Sequence, residues 1–250
     1  MKHLLPFRIY ESQTTSGLTE EQQEFLNKYT EGTWSVNPTT GLVDVQGDFN
    51  CSSERLKSLL DIHFGHVVGN FNCYDNRLTS LAGAPQTVGG NFNCYNNKLT
   101  SLEGSPQTVG GDFNCFFNDL KSLEGAPQTV GGNFDFSPND LKSLEGAPYT
   151  INGIFISDEF KLDAGKWNMA GWLKVLNTGT EEAKKLILTL PWLQPDWWNL
   201  ELQRDPGKTV HLLGSLWNHL PKNIQSAIKI PKGYEDQMDL FSGFDELGLF

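Results

Sequence analysis

No stretch of this 250-residue chain approaches the ~20 consecutive apolar residues that a bilayer-spanning helix needs, so no membrane partner is expected. Positive charge is in deficit. Nineteen Lys and Arg against 30 Asp and Glu leave a net charge of −11, which disfavours steering onto nucleic acid or an anionic surface. The opening MKHLLPFRIYES has too short an apolar core for a secretory signal. Cysteine is scarce and confined: Cys51, Cys73, Cys94 and Cys115 are the four, and none follows residue 115. A metal site wants ligands converging at short spacing. These are strung out singly, so they read as small buried hydrophobes in a reducing compartment. Catalytic constellations are missing too. Gly207-Lys208-Thr209 lacks the glycine that a phosphate-binding loop requires at 202, where Leu202 stands. His63 and His66 lie in the irregular first repeat and His211 and His219 on one expected helix, all four read as structural, and the carboxylates are dispersed. We therefore expect no enzyme, no cofactor and no metal.

What the chain has in abundance is repetition. From residue 69 it reads GNFNCYDNRLTSLAGAPQTVG, and the phrase recurs from 90, 111 and 132, once every 21 residues. A degenerate copy opens at 47 and a fragment at 153. A fixed period of this length means a solenoid, in which each unit packs only on its neighbours. Phe71, Phe92, Phe113 and Phe134 alternate with polar residues, and Cys73, Cys94 and Cys115 follow two positions later, which predicts a short strand with one buried face. Asn76, Asn97, Asn118 and Asn139 stand where the chain turns out of that strand, so their amides are expected to form a ladder that satisfies backbone groups of neighbouring coils. Pro85, Pro106, Pro127 and Pro148 fall on the return path, and the Gly-Gly pairs 89–90, 110–111 and 131–132 are expected to permit the bend back into the strand.

The pattern F-x-C-x-x-N-x-L-x-x-L, with Leu78, Leu99, Leu120 and Leu141 and then Leu81, Leu102, Leu123 and Leu144, resembles the leucine-rich repeat over residues 47 to 157. The phrase L-T-S-L-x-G-x-P looks like the short bacterial type found in secreted effectors. The resemblance implies protein recognition. Some members carry a ubiquitin-ligase domain with a catalytic Cys, and this chain departs from them because its C-terminal part has no Cys.

The predicted fold class is α+β: a leucine-rich-repeat solenoid with one parallel sheet, an N-terminal cap and a C-terminal helical domain. Thr19-Glu20-Glu21-Gln22 is a capping-box pattern for a helix over 20–30. Residues 33–46 read as a hairpin, with Trp34 and Val36 before an NPTTG turn and Val43 and Val45 after it. Together 1–46 would cover the exposed first coil. Five of the seven Trp lie between 167 and 198. Segments 165–177, 180–190, 195–204, 207–219 and 221–228 have helical spacing, so 158–233 reads as a Trp-rich helical domain. Trp197 and Trp198 cannot both face one core from one helix. Residues 234–250 form an acidic, Phe-rich tail.

Function is expected on the repeated surface. Strand positions facing away from the core are Asn70, Asn91, Asp112 and Asn133, then Asn72, Asn93, Asn114 and Asp135, then Tyr74, Tyr95, Phe116 and Ser137, with Phe117 adjoining. Amides beside aromatics on a concave face suit a protein partner. Asn72, Tyr74, Asn93, Tyr95, Asn114, Phe116 and Phe117 are the candidate contact residues.

The termini suggest a setting. The repeats, the segment WSVNPTTGLVDVQGDF and the ending PKGYEDQMDLFSGFDELGLF resemble leucine-rich-repeat proteins of tailed bacteriophages. That resemblance implies an interaction protein in the host cytoplasm that binds a host or phage protein, for instance to disarm a defence. MKHLLPFRIYES, with Ile9-Tyr10-Glu11 before Ser12, looks like a capsid-targeting peptide cut by a prohead protease, which implies a packaged virion component instead. Gln237-Met238-Asp239-Leu240-Phe241 resembles the peptide that docks in the bacterial sliding clamp. The competing expectation is that the apolar side chains of the tail fold back on the protein's own core.

Overall fold

A computed structural model describes residues 17–157, 161–162 and 169–234. The N-terminal peptide at 1–12 and the motif at Gln237 to Phe241 lie outside the described residues. The chain is a parallel β-solenoid with coils 21 residues apart, followed by helices.

Helix α1 (Glu20–Tyr29) begins at the capping box: the Thr19 hydroxyl accepts from the Gln22 amide, and the Gln22 side chain accepts from the Thr19 amide. It buries Phe25 and Leu26. Strands β1 (Thr30–Val36) and β2 (Val43–Asn50) form an antiparallel hairpin with Trp34, Val36, Val43 and Val45 inside. Asn37 closes its turn by accepting from the amides of Thr39 and Thr40.

The next strands are β3 (Phe64–Val67), β4 (Phe71–Asn72), β5 (Thr87–Val88), β6 (Phe92–Asn93), β7 (Thr108–Val109) and β8 (Phe113–Asn114). After them come β9 (Thr129–Val130), β10 (Phe134–Asp135), β11 (Thr150–Ile151), β12 (Phe155–Ile156) and β13 (Lys161–Leu162). They make two parallel ladders. One runs β4-β6-β8-β10-β12 through the Phe positions, and the other runs β3-β5-β7-β9-β11 through the Thr-Val positions. Strand β2 joins them. Its first half pairs with β3 and its last two residues with β4. The Thr-Val ladder corrects the reading of that stretch as a plain return path. Each of these strands from β5 on buries a single side chain, Val88, Val109, Val130 or Ile151, with no second buried position two residues on to mark an alternation.

Between the ladders, identical side chains stack. Phe49, Phe71, Phe92, Phe113, Phe134 and Phe155 are all fully buried, with successive ring centroids 5.2 to 5.6 Å apart. Each such burial is worth about 1.5–3 kcal/mol. Cys51, Cys73, Cys94 and Cys115 are buried free thiols one position of the same face away, and Phe136 takes their place in the fourth 21-residue coil.

The asparagine ladder shows how one coil closes on the next. Asn97 Nδ2 donates to the carbonyls of Cys73 (3.0 Å) and Cys94 (3.1 Å), while its Oδ1 accepts from the Leu78 amide (2.9 Å). Asn118 repeats this with Cys94, Cys115 and Leu99, and Asn139 accepts from Leu120. One amide thus satisfies backbone groups of two coils. Asn97→Ala should leave those groups unpaired and cost about 1–3 kcal/mol in chemical denaturation, whereas Asn93→Ala, on the half-exposed face, should cost less than about 1 kcal/mol. Equal losses would refute the special role of the turn amide.

The Gly-Gly pairs have a different reason from the one expected. None of these glycines has a positive φ. Their neighbours approach too closely for a side chain: a Cβ on Gly110 would lie 2.2 Å from the Gly89 carbonyl oxygen, and one on Gly131 would lie 2.0 Å from that of Gly110. Positive φ belongs instead to Gly83, Gly104, Gly125 and Gly146, in the turn before each proline. Gly110→Ala should therefore destabilise by more than about 2 kcal/mol. Gly207→Ala, with open space around it at the start of a helix, should gain about 0.5–1 kcal/mol. Thermal melts of the two variants distinguish contact from conformational freedom.

The helices are α2 (Met169–Thr178), α3 (Glu181–Ile187), α4 (Pro195–Arg204), α5 (Pro206–Leu216) and α6 (Lys222–Ala227). Thr180 and Asp205 cap α3 and α5 with their side chains. Trp198 is fully buried and Trp197 half-buried beside it, their rings edge to face at 4.8 Å. The helices meet the last coil directly. Leu144 N–H donates to Thr189 Oγ1 at 2.7 Å, and Tyr149 packs against Trp192 with centroids 5.5 Å apart.

Candidate functional site

In an in-register parallel ladder, a residue type that recurs each period must stack on itself. Side chains pointing outward from the Phe ladder therefore form rows. Pairing of Asn72 with Asn93 and of Asn93 with Asn114 sets the first. Asn93 Nδ2 donates to Asn72 Oδ1 and Asn114 Nδ2 to Asn93 Oδ1, both at 2.7 Å. Two residues on lie Tyr74, Tyr95 and Phe116. Their rings are parallel within 9°, with centroids 4.5 and 4.4 Å apart. Desolvation in this stack, then the neighbouring Tyr74 and Asp75, push the Tyr95 phenol above the ordinary tyrosine range. The row ends at both sides on serine, since Asn50 pairs with Asn72 and Asn114 with Asp135, which sets Ser52 beside Tyr74 and Ser137 beside Phe116.

Asn70, Asn91, Asp112 and Asn133, expected on this face, serve the scaffold. The Oδ1 of each accepts from the backbone amide at the same position of the following coil, at 2.7 to 2.8 Å. They are half-buried and hold the backbone of the next coil, whereas Asn72, Asn93 and Asn114 bond one another along the outward face.

Phe117 differs from its neighbours in conformation. Asp75, Asn96 and Phe117 hold the same place in three successive coils with φ of 54°, 52° and 51°. Asp and Asn tolerate this left-handed geometry through their short polar side chains; a phenylalanine does not. Yet Phe117 is 57% exposed, edge-on to Phe116 at 5.6 Å, so its own burial does not compensate the strain. Beside it is a hollow of about 430 Å³ lined by Asn96, Lys98, Asp119, Lys121, Pro138 and Asp140. The Lys121–Asp140 ion pair at 2.7 Å crosses this hollow, and it holds the Asp140 carboxyl below the usual range. The structure brings Asn72, Tyr74, Asn93, Tyr95, Asn114, Phe116 and Phe117 onto one face. The strain at Phe117 could be suspected from sequence only by noting a Phe where earlier repeats hold Asp and Asn.

A second exposed apolar site lies elsewhere; the rule that Trp197 and Trp198 cannot both face one core anticipates its tryptophan but not Leu200. Trp197 and Leu200, three apart on α4, border a groove against the last coil. Helical spacing alone does not say which apolar residues of a short helix stay uncovered. Among the described residues, no cluster of three His, Cys, Asp or Glu side chains could hold a metal ion. Neither a family model, nor a curated protein, nor a solved structure matches the chain.

Burial pushes the thiols up, Cys51 to about 12 and the other three well above the ordinary value. The thiolate, which is the reactive form, is thereby suppressed. Because the folded pKa exceeds the unfolded value of about 8.5, this contribution to stability is complete below that pH and is lost as pH rises towards 12. Labelling by a thiol reagent near pH 8 should proceed only at the rate of global unfolding. Modification within the mixing time, without denaturant, would contradict the buried stack.

Proposed function

We propose that the chain is a non-enzymatic recognition module that binds a protein through the row of Tyr74, Tyr95 and Phe116, the adjoining amides Asn72, Asn93 and Asn114, and Phe117. The observation that carries this reading is Phe117: an aromatic side chain held exposed, at 57%, in a backbone conformation that disfavours it. Strain of this kind gathers at ligand clamps. Exposed aromatics framed by polar groups are the common anchors of protein interfaces. The stacked row is suited to the same task, since neighbouring rings restrict each other before a partner arrives and so reduce the ordering cost of binding.

The finer identity belongs to the same proposal. The solenoid is of the short leucine-rich type, with α1 and the hairpin as its N-terminal cap and the helices as a C-terminal domain. The likeness to repeat proteins of tailed phages supports a host or phage protein as the partner, met in the host cytoplasm.

Phe117→Asn tests the central claim. It installs the residue type that Asn96 shows to fit the position. Stability should rise by about 0.5–1 kcal/mol while binding falls. Affinity capture from the host, quantified for the parent, Phe117→Asn and a Tyr74/Tyr95/Phe116 triple Ala variant, should recover a protein that only the parent retains. A partner held equally by all three would overturn the reading.

A further inference from the structure

The groove between α4 and the last coil has a volume of about 760 Å³. Leu188, Trp197 and Leu200 supply its apolar surface, and Leu200 is 61% exposed. Each of its neutral polar side chains is already hydrogen-bonded within the protein. Thr189 Oγ1 donates to the Leu186 carbonyl and accepts from the Leu144 amide, Gln194 Nε2 donates to the carbonyl of Leu188, and Ser143 Oγ accepts from the Glu145 amide. The carboxylates of Glu145 and Asp196 remain, and no basic side chain is among the described residues that line the groove.

Glu145 also ends a row. Glu103, Glu124 and Glu145 hold the same place in three successive coils, all exposed. Their coils are tied at this point by Leu102 N–H to the Glu124 carbonyl and Leu123 N–H to the Glu145 carbonyl. Like charges stacked in register repel. Among the described residues none of the three carboxylates has a cationic partner. Of the lysines three positions before Glu124 and Glu145, Lys121 is paired with Asp140 instead. The solenoid therefore carries an uncompensated acidic row that leads into an apolar groove.

We infer that this groove and the row Glu103–Glu124–Glu145 form a second docking surface, for a segment of a protein partner that carries apolar side chains among Lys or Arg. An apolar side chain would cover Leu200 and Trp197, and basic side chains would lie along the carboxylates. Charge argues against the chain's own tail as the occupant: residues 235–250 contain Glu235, Asp236, Asp239, Asp245 and Glu246 and no Lys or Arg. The proposal is independent of the aromatic row, which lies on the outer side of the Phe ladder.

The test uses the full chain and a fluorescent peptide in which Leu and Phe alternate with Lys and Arg, followed by polarisation and by the Trp emission. Saturable binding with a blue-shifted Trp emission is expected. Leu200→Asp should weaken it about tenfold, the double variant Glu124→Lys/Glu145→Lys by a similar factor, and a Tyr74/Tyr95/Phe116 triple Ala variant not at all. A control peptide with Ser in place of Leu and Phe should bind at least tenfold more weakly. Melting curves verify that each variant is folded; Leu200 is exposed, so its replacement spares the core. The inference is overturned by any of four results: no binding to the full chain; binding unchanged or tightened by Leu200→Asp, which marks charge attraction alone; loss of binding in the aromatic triple variant, which moves the site; or binding only by a chain ending at Tyr234, which makes the tail the occupant.

Discussion

The in-register stacking of each coil on the next is the constraint from which the rest follows. Along the Phe ladder backbone amides reach to the following coil, as in Phe92 to Asp112 and Cys94 to Asn114, and the turn asparagines lock the same register by reaching back to the preceding coil with their side chains. Once register is set, every position of the repeat becomes a row. The Phe row is the core, the thiol row fills the space beside it, and the Asn97 row closes the turns.

The same constraint makes departures from the repeat informative. Rows bonded to the backbone of the next coil are scaffold: the Oδ1 of Asn91 and of Asp112 each accepts from a backbone amide there. Rows that do not satisfy themselves face outward with something unspent. Phe117 is strained and exposed; Glu103, Glu124 and Glu145 are like charges without cations. A repeat protein has little reason to place such groups side by side for stability, because in-register stacking multiplies the cost of each by the number of coils. Both features lie where the surface remains open to a partner.

The helices bring a different logic to the end of the chain. They are short, and they bury tryptophans by packing across one another rather than by stacking in rows. Trp198 goes fully inside while Trp197 and Leu200 are left at the rim. Thr189, hydrogen-bonded both to Leu186 at the end of α3 and to Leu144, fixes where that rim meets the last coil. The groove thus exists because two kinds of packing adjoin.

The sequence alone determined the solenoid, its period, the buried Phe and Cys positions and the turn asparagines, because a repeated local pattern can be buried in only one register. It also determined the N-terminal helix from its capping box and the hairpin from its turn. The tertiary structure decided what depends on the distance between coils. Each strand of the Thr-Val ladder from β5 on buries a single side chain and so leaves no alternation, and the Gly-Gly pairs owe their presence to a carbonyl 21 residues away. Asn70 and Asn72 look alike in a one-dimensional pattern, yet one is tied to the next coil's backbone and the other to its neighbour's amide. The left-handed turn at Phe117 and the uncovered face of α4 likewise appear only when the chain is folded, since backbone strain and exposure are set by neighbours in space rather than by neighbours in sequence.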